Sequence, residues 1–251
     1  MLKLTPPSYI GRSFFGLKDA DAFVEARDRM LGEIKWDHGV FASDNLITWE
    51  RTLGFLRDQP FVDAVNRNTR PGAERGAVWR TATLVWAARS AARLDGDFVE
   101  CACYRGSSAR TVADLVDISS RRYFLYDLFD HDETMPHHSM PEHSAKLYAE
   151  VRERFPEPNV IITQGRVPDS LALAAPDRIA FMHLDLNNAE AEIGALEVLW
   201  DRILPGGVLV LDDFGWLAYS KQHWAETAWL RERGHFILEM PTGQGLVIKQ
   251  A

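Results

Sequence analysis

After Gly96 the sequence alternates between short apolar segments and amphipathic helical segments, and this alternation limits the possible folds more than any other feature. Runs rich in β-branched and aromatic residues predict strands at 98–103, 123–126, 160–163, 179–184 and 208–211. Helical patterns at 108–116, 142–154, 168–174 and 189–203 lie between and after them. Strands that alternate with helices indicate a parallel sheet with helices on both faces.

The last two strand segments follow a different pattern. Residues 235–240 and 245–249 are separated only by Pro-Thr-Gly-Gln, which is too short for a helical crossover. We therefore predict an antiparallel C-terminal hairpin. The expected fold class is α/β: a doubly wound, mostly parallel, seven-stranded sheet that ends in this hairpin.

The first part of the chain predicts helices and loops. One helix is expected at 45–57, capped by Ser43 or Asp44, and an Ala-rich helix at 77–93. We interpret residues 1–75 as an N-terminal helical or lid extension and residues 76–251 as a Rossmann-like domain. Large aromatic side chains are frequent in the first 95 residues, which favours core and subunit contacts, so we expect a homodimer or a higher homo-oligomer.

Charge and composition exclude several classes of partner. The formal net charge is −8 and the pI about 5.5, whereas nucleic-acid-binding domains usually carry a basic face. No uncharged apolar run approaches the length of about 18 residues that a membrane span needs, and the N-terminus lacks the apolar core of a secretory signal. With only Cys101 and Cys103 as cysteines, we expect a cytoplasmic protein that binds neither nucleic acid nor membranes.

The residues that follow the predicted strands are the candidate ligand contacts, because open parallel sheets bind ligands beyond the carboxyl ends of their strands. A small-residue turn and a helix N-terminus follow the first strand, which suits a nucleotide or a carboxylate. Asp127 ends the second strand, where it can accept ribose hydroxyl protons; the alternative is a helix cap or a loop charge. Gln164 and Gly165 follow the third strand, where an adenine edge can lie.

Acidic residues end the fourth and fifth strands. Asp185 follows one strand, and Asp212 and Asp213 follow the next. If the two strands are neighbours, their ends lie about 5 Å apart. Three unpaired carboxylates there would repel, and Mg²⁺ or Mn²⁺ would relieve the repulsion. The alternative is that one Asp caps a helix and another binds the cofactor.

These residues resemble the macrocin/mycinamicin-type sugar O-methyltransferases, a branch of the class I S-adenosylmethionine-dependent methyltransferases. The resemblance runs from about Arg75 to the C-terminus and is strongest in GDFVECACYRGSSA (96–109), FLYDLFD (124–130), IAFMHLDL (179–186) and ILPGGVLVLDDFGW (203–216). It implies the class I methyltransferase fold, S-adenosylmethionine as methyl donor, and Mg²⁺ (or Mn²⁺). It also implies a small hydroxylated acceptor, such as a natural-product sugar.

The resemblance also implies roles for individual residues. It places Asp185, Asp212 and Asp213 at the metal, with Asp185 and Asp213 as catalytic residues. Together with the strand-end argument, it gives the donor site as Glu100, Ala102, Tyr104, Arg105, Gly106, Ser107, Ser108, Asp127, Gln164, Gly165 and Asp185.

The chain departs from the family pattern at several of these positions. Ala102 and Ser107 stand where the family usually has glycine, and Asn187 and Asn188 replace the Asp proposed as general base and an aromatic residue. The segment after Asp127 contains four histidines, of which His138 is the candidate replacement base. A pH-sensitive lid, a second metal site and a solvated loop are the alternatives for this segment. A non-catalytic binding protein and a different enzyme class on the same fold are the rival functions.

Overall fold

A computed structural model describes residues 7–34, 39–130, 140 and 142–251 of the chain. It divides the chain into two compact units, Met1–Ala82 and Thr83–Ala251. The separation into an extension of residues 1–75 and a domain of residues 76–251 stays a proposal.

The first unit contains a small sheet in addition to helices. Its strands are β1 (Tyr9–Ile10), β2 (Phe41–Ser43) and β3 (Leu46–Thr48). β2 pairs in parallel with β1 and antiparallel with β3. The helices of this part are α1 (Ala20–Gly32), α2 (Gln59–Asn68), α3 (Ala73–Gly76) and α4 (Val78–Ala91), of which α4 continues past Ala82.

The helix predicted at 45–57 is wrong. Asp44 and Asn45 both have positive φ, 53° and 54°, and form the two-residue turn of the β2–β3 hairpin, a conformation that Asn and Asp tolerate. Arg80 fixes the turn, since its Nε donates to Asp44 Oδ2 at 2.7 Å. The segment therefore contains β3 and a 3-10 turn at Gly54–Arg57, and not one continuous helix.

The second unit is built on a seven-stranded sheet among the described residues. Its strands are β4 (Asp97–Cys101), β5 (Tyr123–Asp127), β6 (Val160–Gln164), β7 (Ile179–Leu184), β8 (Ile203–Leu211), β9 (Leu238–Glu239) and β10 (Gly245–Ile248). They lie in the order β6–β5–β4–β7–β8–β10–β9. β4 to β8 are parallel, and β10 is antiparallel to β8 and β9. The predicted parallel sheet and C-terminal hairpin are confirmed.

The remaining helices cover the sheet: α5 (Ser107–Leu115), α6 (Leu147–Arg154), α7 (Ala189–Leu199) and α8 (Ser220–Glu232). Every residue of β7 is buried, as expected for a central parallel strand. A continuous apolar cluster contains Val99, Met182 and Leu209 from three neighbouring strands and Leu196 from α7. Within the described residues, no helix has the length and apolar character that crossing a membrane requires.

The strand register brings the functional residues to one edge. Cys101 pairs with both Tyr126 and Leu184, and Leu184 pairs with Leu211. The residues that follow these strands therefore leave the sheet at the same edge, as the sequence analysis required.

Candidate active site

A cavity of about 380 Å³ opens at the carboxyl ends of the parallel strands, a size typical of small-ligand sites. Its wall comes from the segments after β4, β5, β6 and β7 and from the turn before α8. The lining residues are Ala102, Tyr104, Asp127, Leu128, Met140, His143, Gly165, Arg166, Val167, Asp185, Leu186, Asn187, Ala191 and Tyr219.

The turn after β4 has an unusual backbone. Ala102, Tyr104 and Gly106 have φ values of 67°, 49° and 69°, in the left-handed region that favours glycine. A Cβ at Gly106 would lie 2.7 Å from the Phe155 ring, so glycine is required there. Ala102 adopts the same conformation with a methyl group, which strains the backbone.

Asp127 holds this turn in place. One carboxylate oxygen accepts the Tyr104 N–H at 2.6 Å, and the other accepts the Phe129 N–H at 2.7 Å. Burial raises the pKa of Asp127 to about 6, and Glu100 adds to the rise, while the Phe129 N–H and His143 oppose it. Asp127 thus orders two loops and also contributes to the cavity wall.

His143 is fixed beside Asp127. Its Nδ1 lies 3.3 Å from the Met140 backbone nitrogen and is placed to accept that N–H. Nε2 lies 3.9 Å from Asp127 Oδ1. The ring meets Tyr104 edge to face, with 5.6 Å between ring centroids, and the Tyr104 hydroxyl accepts the Glu142 N–H at 3.3 Å.

Below the cavity, a chain of buried polar side chains crosses the sheet. His183 on β7 places Nδ1 3.5 Å from Glu100 Oε2 and Nε2 3.4 Å from Asp212 Oδ1. These are ion-pair contacts without the alignment of directed hydrogen bonds. Burial alone would lower the pKa of His183, but Asp212 and Glu100 raise it well above its usual value. His183 is therefore an imidazolium between two carboxylates.

The chain of polar groups continues at both ends. The Tyr123 hydroxyl on β5 donates to Glu100 Oε2 at 3.1 Å. On the other side, Gln244 Nε2 donates to Asp212 Oδ1 at 2.8 Å, and the Thr242 hydroxyl donates to Gln244 Oε1 at 3.0 Å. Asp212 is thus held from the sheet interior and from the C-terminal hairpin.

The segment after β7 carries Asp185 into the cavity wall. The Asp185 N–H donates to the Cys101 carbonyl at 3.1 Å. Asn187 has a φ of 55°, which Asn tolerates better than most residues. Asn188 is the N-cap of α7, with its side chain accepting the Ala191 N–H at 3.0 Å, which explains an amide at this departure from the family pattern.

Two buried glutamates lie behind this segment. Glu192 on α7 and Glu226 on α8 are both 0% exposed, and Glu192 Oε1 accepts the Leu186 N–H at 2.8 Å. Burial raises the pKa of Glu192 from 4.5 to about 7 and that of Glu226 from 4.5 to about 10, and Asp213 contributes to both shifts. The two carboxyl groups lie close together without the alignment of a directed hydrogen bond, and the Glu192 carboxylate adds to the rise in the pKa of Glu226. Gln222 lies close to Glu226 but is not aligned for a directed hydrogen bond.

The predicted acidic trio is only partly assembled. His183, Asp185 and Asp212 each offer a ligand atom, and the three atoms lie within 4.8 Å of one another. Asp213 is not part of this group, and its charge acts on Glu192 and Glu226. The sequence argument treated the acids as having no nearby cation; the structure corrects this for Asp212, because the His183 imidazolium lies beside it.

The structure brings together one part of the predicted donor site. Of its residues, Ala102, Tyr104, Asp127, Gly165 and Asp185 line the cavity. Glu100 lies in the sheet interior against His183, and the Gln164 amide donates to the Leu128 carbonyl at 3.2 Å. Arg105, Gly106, Ser107 and Ser108 form the end of the turn and the start of α5. His138 lies outside the described residues.

Sequence reasoning missed three polar residues of the site. His183 and Gln244 reach it from a strand and from the hairpin turn, and Tyr219 lines the cavity three residues after Trp216. His143 stood among four histidines with nothing to distinguish it. In the sequence, only the group of four histidines indicated a functional segment. The other residues could not be identified before the strand register showed which side chains lie near one another.

The strand order, the hairpin and the cavity at the strand ends define a class I methyltransferase. The macrocin O-methyltransferase (TylF) family model matches residues 80–233, which is more than half of the chain. The chain therefore belongs to the TylF family and is an O-methyltransferase. No curated protein sequence matches it.

Solved structures show the same fold at low sequence identity. The O-methyltransferase NovP is 16% identical, with a TM-score of 0.60 over 75% of this chain and 88% of that one. The calicheamicin methyltransferase CalS11 is 13% identical, with a TM-score of 0.57 over 76% and 90%. PaMTH1 from Podospora anserina, solved with S-adenosylhomocysteine, is 13% identical, with a TM-score of 0.54 over 95% and 99%.

Replacement of Glu226 by Gln should stabilise the protein increasingly as the pH rises. The folded-state pKa values of Glu192 and Glu226 are raised, so above about pH 4.5 the folded state binds more protons than the unfolded state and stability falls with pH. The substitution removes one ionisable group, so the stability gain over wild type should grow by up to about 1.4 kcal/mol per pH unit. Urea unfolding from about pH 5 to about pH 9 measures it.

The exposed residue Glu232 on the same helix provides the control. Glu232→Gln should show no such trend. A stability difference between Glu226→Gln and wild type that does not change with pH would contradict the assignment of the buried acid pair.

Replacement of Ala102 by Gly should stabilise the protein by about 1 kcal/mol, because glycine adopts positive φ without strain. Thermal unfolding should show a rise in Tm of about 2–4 °C for a chain of this size. The same change at Ala109, inside α5, should destabilise the protein by about 0.5–1 kcal/mol. Equal effects at both positions would show that Ala102 is not strained.

Proposed function

We propose that the chain transfers a methyl group from S-adenosylmethionine to a hydroxyl of a small molecule, with a natural-product sugar as the acceptor class and with a divalent cation, Mg²⁺ or Mn²⁺, at the acidic edge. The observation that carries this proposal is the cavity itself. It brings Asp127, at the end of β5, and Asp185, after β7, into one wall. We assign Asp127 to bind the methyl donor and Asp185 to bind the acceptor.

The residues of the cavity fit the donor. Asp127 offers acceptor oxygens for hydroxyl groups, and Ala102, Leu128 and Val167 offer apolar surface. Gly165 has a φ of 146°, and a Cβ there would lie only 3.0 Å from the Ser170 side chain. Glycine therefore lets the backbone pass close to Ser170 at the edge of the cavity. PaMTH1, which has this fold, was solved with the demethylated donor.

The acidic edge fits a hard divalent cation. Asp185 and Asp212 place oxygens within 4.8 Å, and carboxylate oxygens are the ligands that Mg²⁺ prefers. His183, whose Nε2 lies 3.4 Å from Asp212 Oδ1, would orient Asp212. Asp213 would join the site from its position beside Asp212.

When bound, the donor would supply an electrophilic methyl group, and a cation held by the acidic residues would make the acceptor hydroxyl more acidic. This chain's own residues align the reactants and move the acceptor proton. Asp185, in the cavity wall, is assigned to orient the acceptor hydroxyl and accept its proton, and Asp213 to support it. Asn187 cannot take this role, because an amide does not accept a proton at neutral pH.

The acceptor class comes from relatives. Macrocin names the family, and CalS11 is described as a TDP-rhamnose 3′-O-methyltransferase of calicheamicin biosynthesis. The description of CalS11 names a nucleotide-linked sugar as the methylated molecule. Hydroxylated sugars are therefore the first acceptors to test, with macrocin and TDP-rhamnose included.

Donor use is tested by titrating S-adenosylhomocysteine into the protein in a calorimeter. Wild type should bind, and Asp127→Asn should weaken binding by at least about tenfold, because the amide changes the acceptor geometry around Tyr104 and the ligand hydroxyls. Asp117→Asn, at an exposed position away from the cavity, should bind like wild type. No binding to wild type would overturn the donor assignment.

Metal dependence is tested by Mn²⁺ binding in electron paramagnetic resonance titrations and by methyl transfer with and without EDTA. Asp212→Asn and Asp213→Asn should each weaken Mn²⁺ binding by at least about tenfold, while Glu190→Gln, an exposed acid on α7, should not. EDTA should abolish the mass gain of one CH₂ unit on the acceptor. Full activity in EDTA would overturn the metal assignment.

A further inference from the structure

The turn between β9 and β10 contains two buried polar side chains that contact each other. Thr242 and Gln244 are 4% and 0% exposed, and the Thr242 hydroxyl donates to Gln244 Oε1 at 3.0 Å. Gln244 Nε2 in turn donates to Asp212 Oδ1 at 2.8 Å. Thr242 is therefore linked to Asp212 through a single amide group, although Thr242 does not line the cavity.

The two hydrogen bonds favour one orientation of the Gln244 amide. Its carbonyl oxygen can only accept a hydrogen bond, and its NH₂ group can only donate. The Thr242 hydroxyl proton bonds to Oε1, which leaves the NH₂ group toward the carboxylate of Asp212. If the amide were rotated by half a turn, two acceptor oxygens would face each other, and the buried carboxylate would lose a hydrogen bond.

The backbone of this turn is fixed to the segment that follows β8. The Gly215 N–H donates to the Gly243 carbonyl at 2.7 Å, and the Trp216 indole N–H donates to the Thr242 carbonyl at 3.4 Å. Gly243 has a φ of 82°, and a Cβ there would collide with the Trp216 ring. Hydrogen bonds and close packing therefore fix the position of the turn relative to the acidic edge.

Asp212 receives two contacts on the same oxygen. Oδ1 accepts the Gln244 N–H and also lies 3.4 Å from His183 Nε2, which restricts the rotation of the carboxylate. Replacing a side chain that orients a metal ligand typically lowers metal affinity by about 10–100-fold. We propose that Thr242 is a positioning residue that acts through Gln244 to orient the Asp212 carboxylate for a divalent cation. This inference rests on the proposed metal site at the acidic edge.

The test is Mn²⁺ binding, measured by electron paramagnetic resonance titration of wild type, Thr242→Val, Thr242→Ser and Gln244→Met. Thr242→Val keeps the shape of the side chain but loses the hydroxyl, so it should bind Mn²⁺ about threefold to tenfold more weakly. Gln244→Met removes the amide and should weaken binding by about tenfold or more. Thr242→Ser keeps the hydroxyl and should bind within about twofold of wild type.

A double variant separates positioning from a general loss of packing in the turn. When Thr242→Val is combined with Gln244→Met, the change at Thr242 should have little further effect, because Thr242 acts only through the amide. Thr81→Val is the matched control, since it also removes a buried hydroxyl that donates to a backbone carbonyl, that of Ala77. It should bind Mn²⁺ like wild type. Thermal unfolding of each variant shows whether it is folded, and Thr242→Ala replaces Thr242→Val if the latter is not.

Three results would each overturn the positioning role of Thr242. They are wild-type affinity for Mn²⁺ in Thr242→Val, equal weakening in Thr242→Val and Thr242→Ser, and additive effects in the double variant. If wild type itself does not bind Mn²⁺, the proposed metal site fails, and this inference fails with it.

Discussion

The arrangement of the acidic edge depends on the ion pairs between His183 and the carboxylates of Glu100 and Asp212. All three side chains are buried, and a charged group in an interior is stable only when an opposite charge or hydrogen bonds compensate for the lost water. Removing one member of such a group leaves an uncompensated charge, which typically costs about 3–5 kcal/mol. Glu100 and His183 lie on the neighbouring strands β4 and β7, and Asp212 directly follows β8, the next strand, so the compensation holds only in the observed strand order. The ion pairs therefore tie the conformation of the active-site edge to the topology of the sheet.

This arrangement also explains why the C-terminal hairpin matters to the site. Asp212 is contacted by His183 from the sheet interior and by Gln244 from the hairpin turn, so its carboxylate is restrained from two directions. A metal ligand or acceptor-binding group that is restrained in this way loses little conformational freedom on binding. Asp185 is restrained differently, through the Cys101 carbonyl and through Glu192, which binds the Leu186 N–H. The two acids are thus positioned by separate sets of contacts.

The fold was largely predictable because strand alternation is a local property, and the apolar segments after Gly96 gave the strands and the hairpin nearly in place. The helix expected at 45–57 failed because Asp44 and Asn45 were interpreted as a cap, although their tolerance of positive φ equally suits a tight hairpin turn. The site was predictable only where residues directly follow strands, as for Asp127 and Asp185. His143, His183 and Gln244 could not be found in this way, since their partners lie 16, 29 and 32 residues away.

The buried acid pair of Glu192 on α7 and Glu226 on α8 is a locally unfavourable feature of the core. Two apolar residues at Glu192 and Glu226 would avoid the desolvation that raises both pKa values. An apolar residue at 192, however, could not accept the Leu186 N–H, and the segment that carries Asp185 and Asn187 would lose its contact with α7. Glu226 lies close to Glu192, and the raised pKa of Glu226 favours its neutral form, which limits the repulsion between the two buried carboxyl groups. The buried pair thus lowers the stability of the fold, while Glu192 fixes the position of the segment that forms part of the cavity wall. Functional sites commonly retain locally unfavourable groups of this kind.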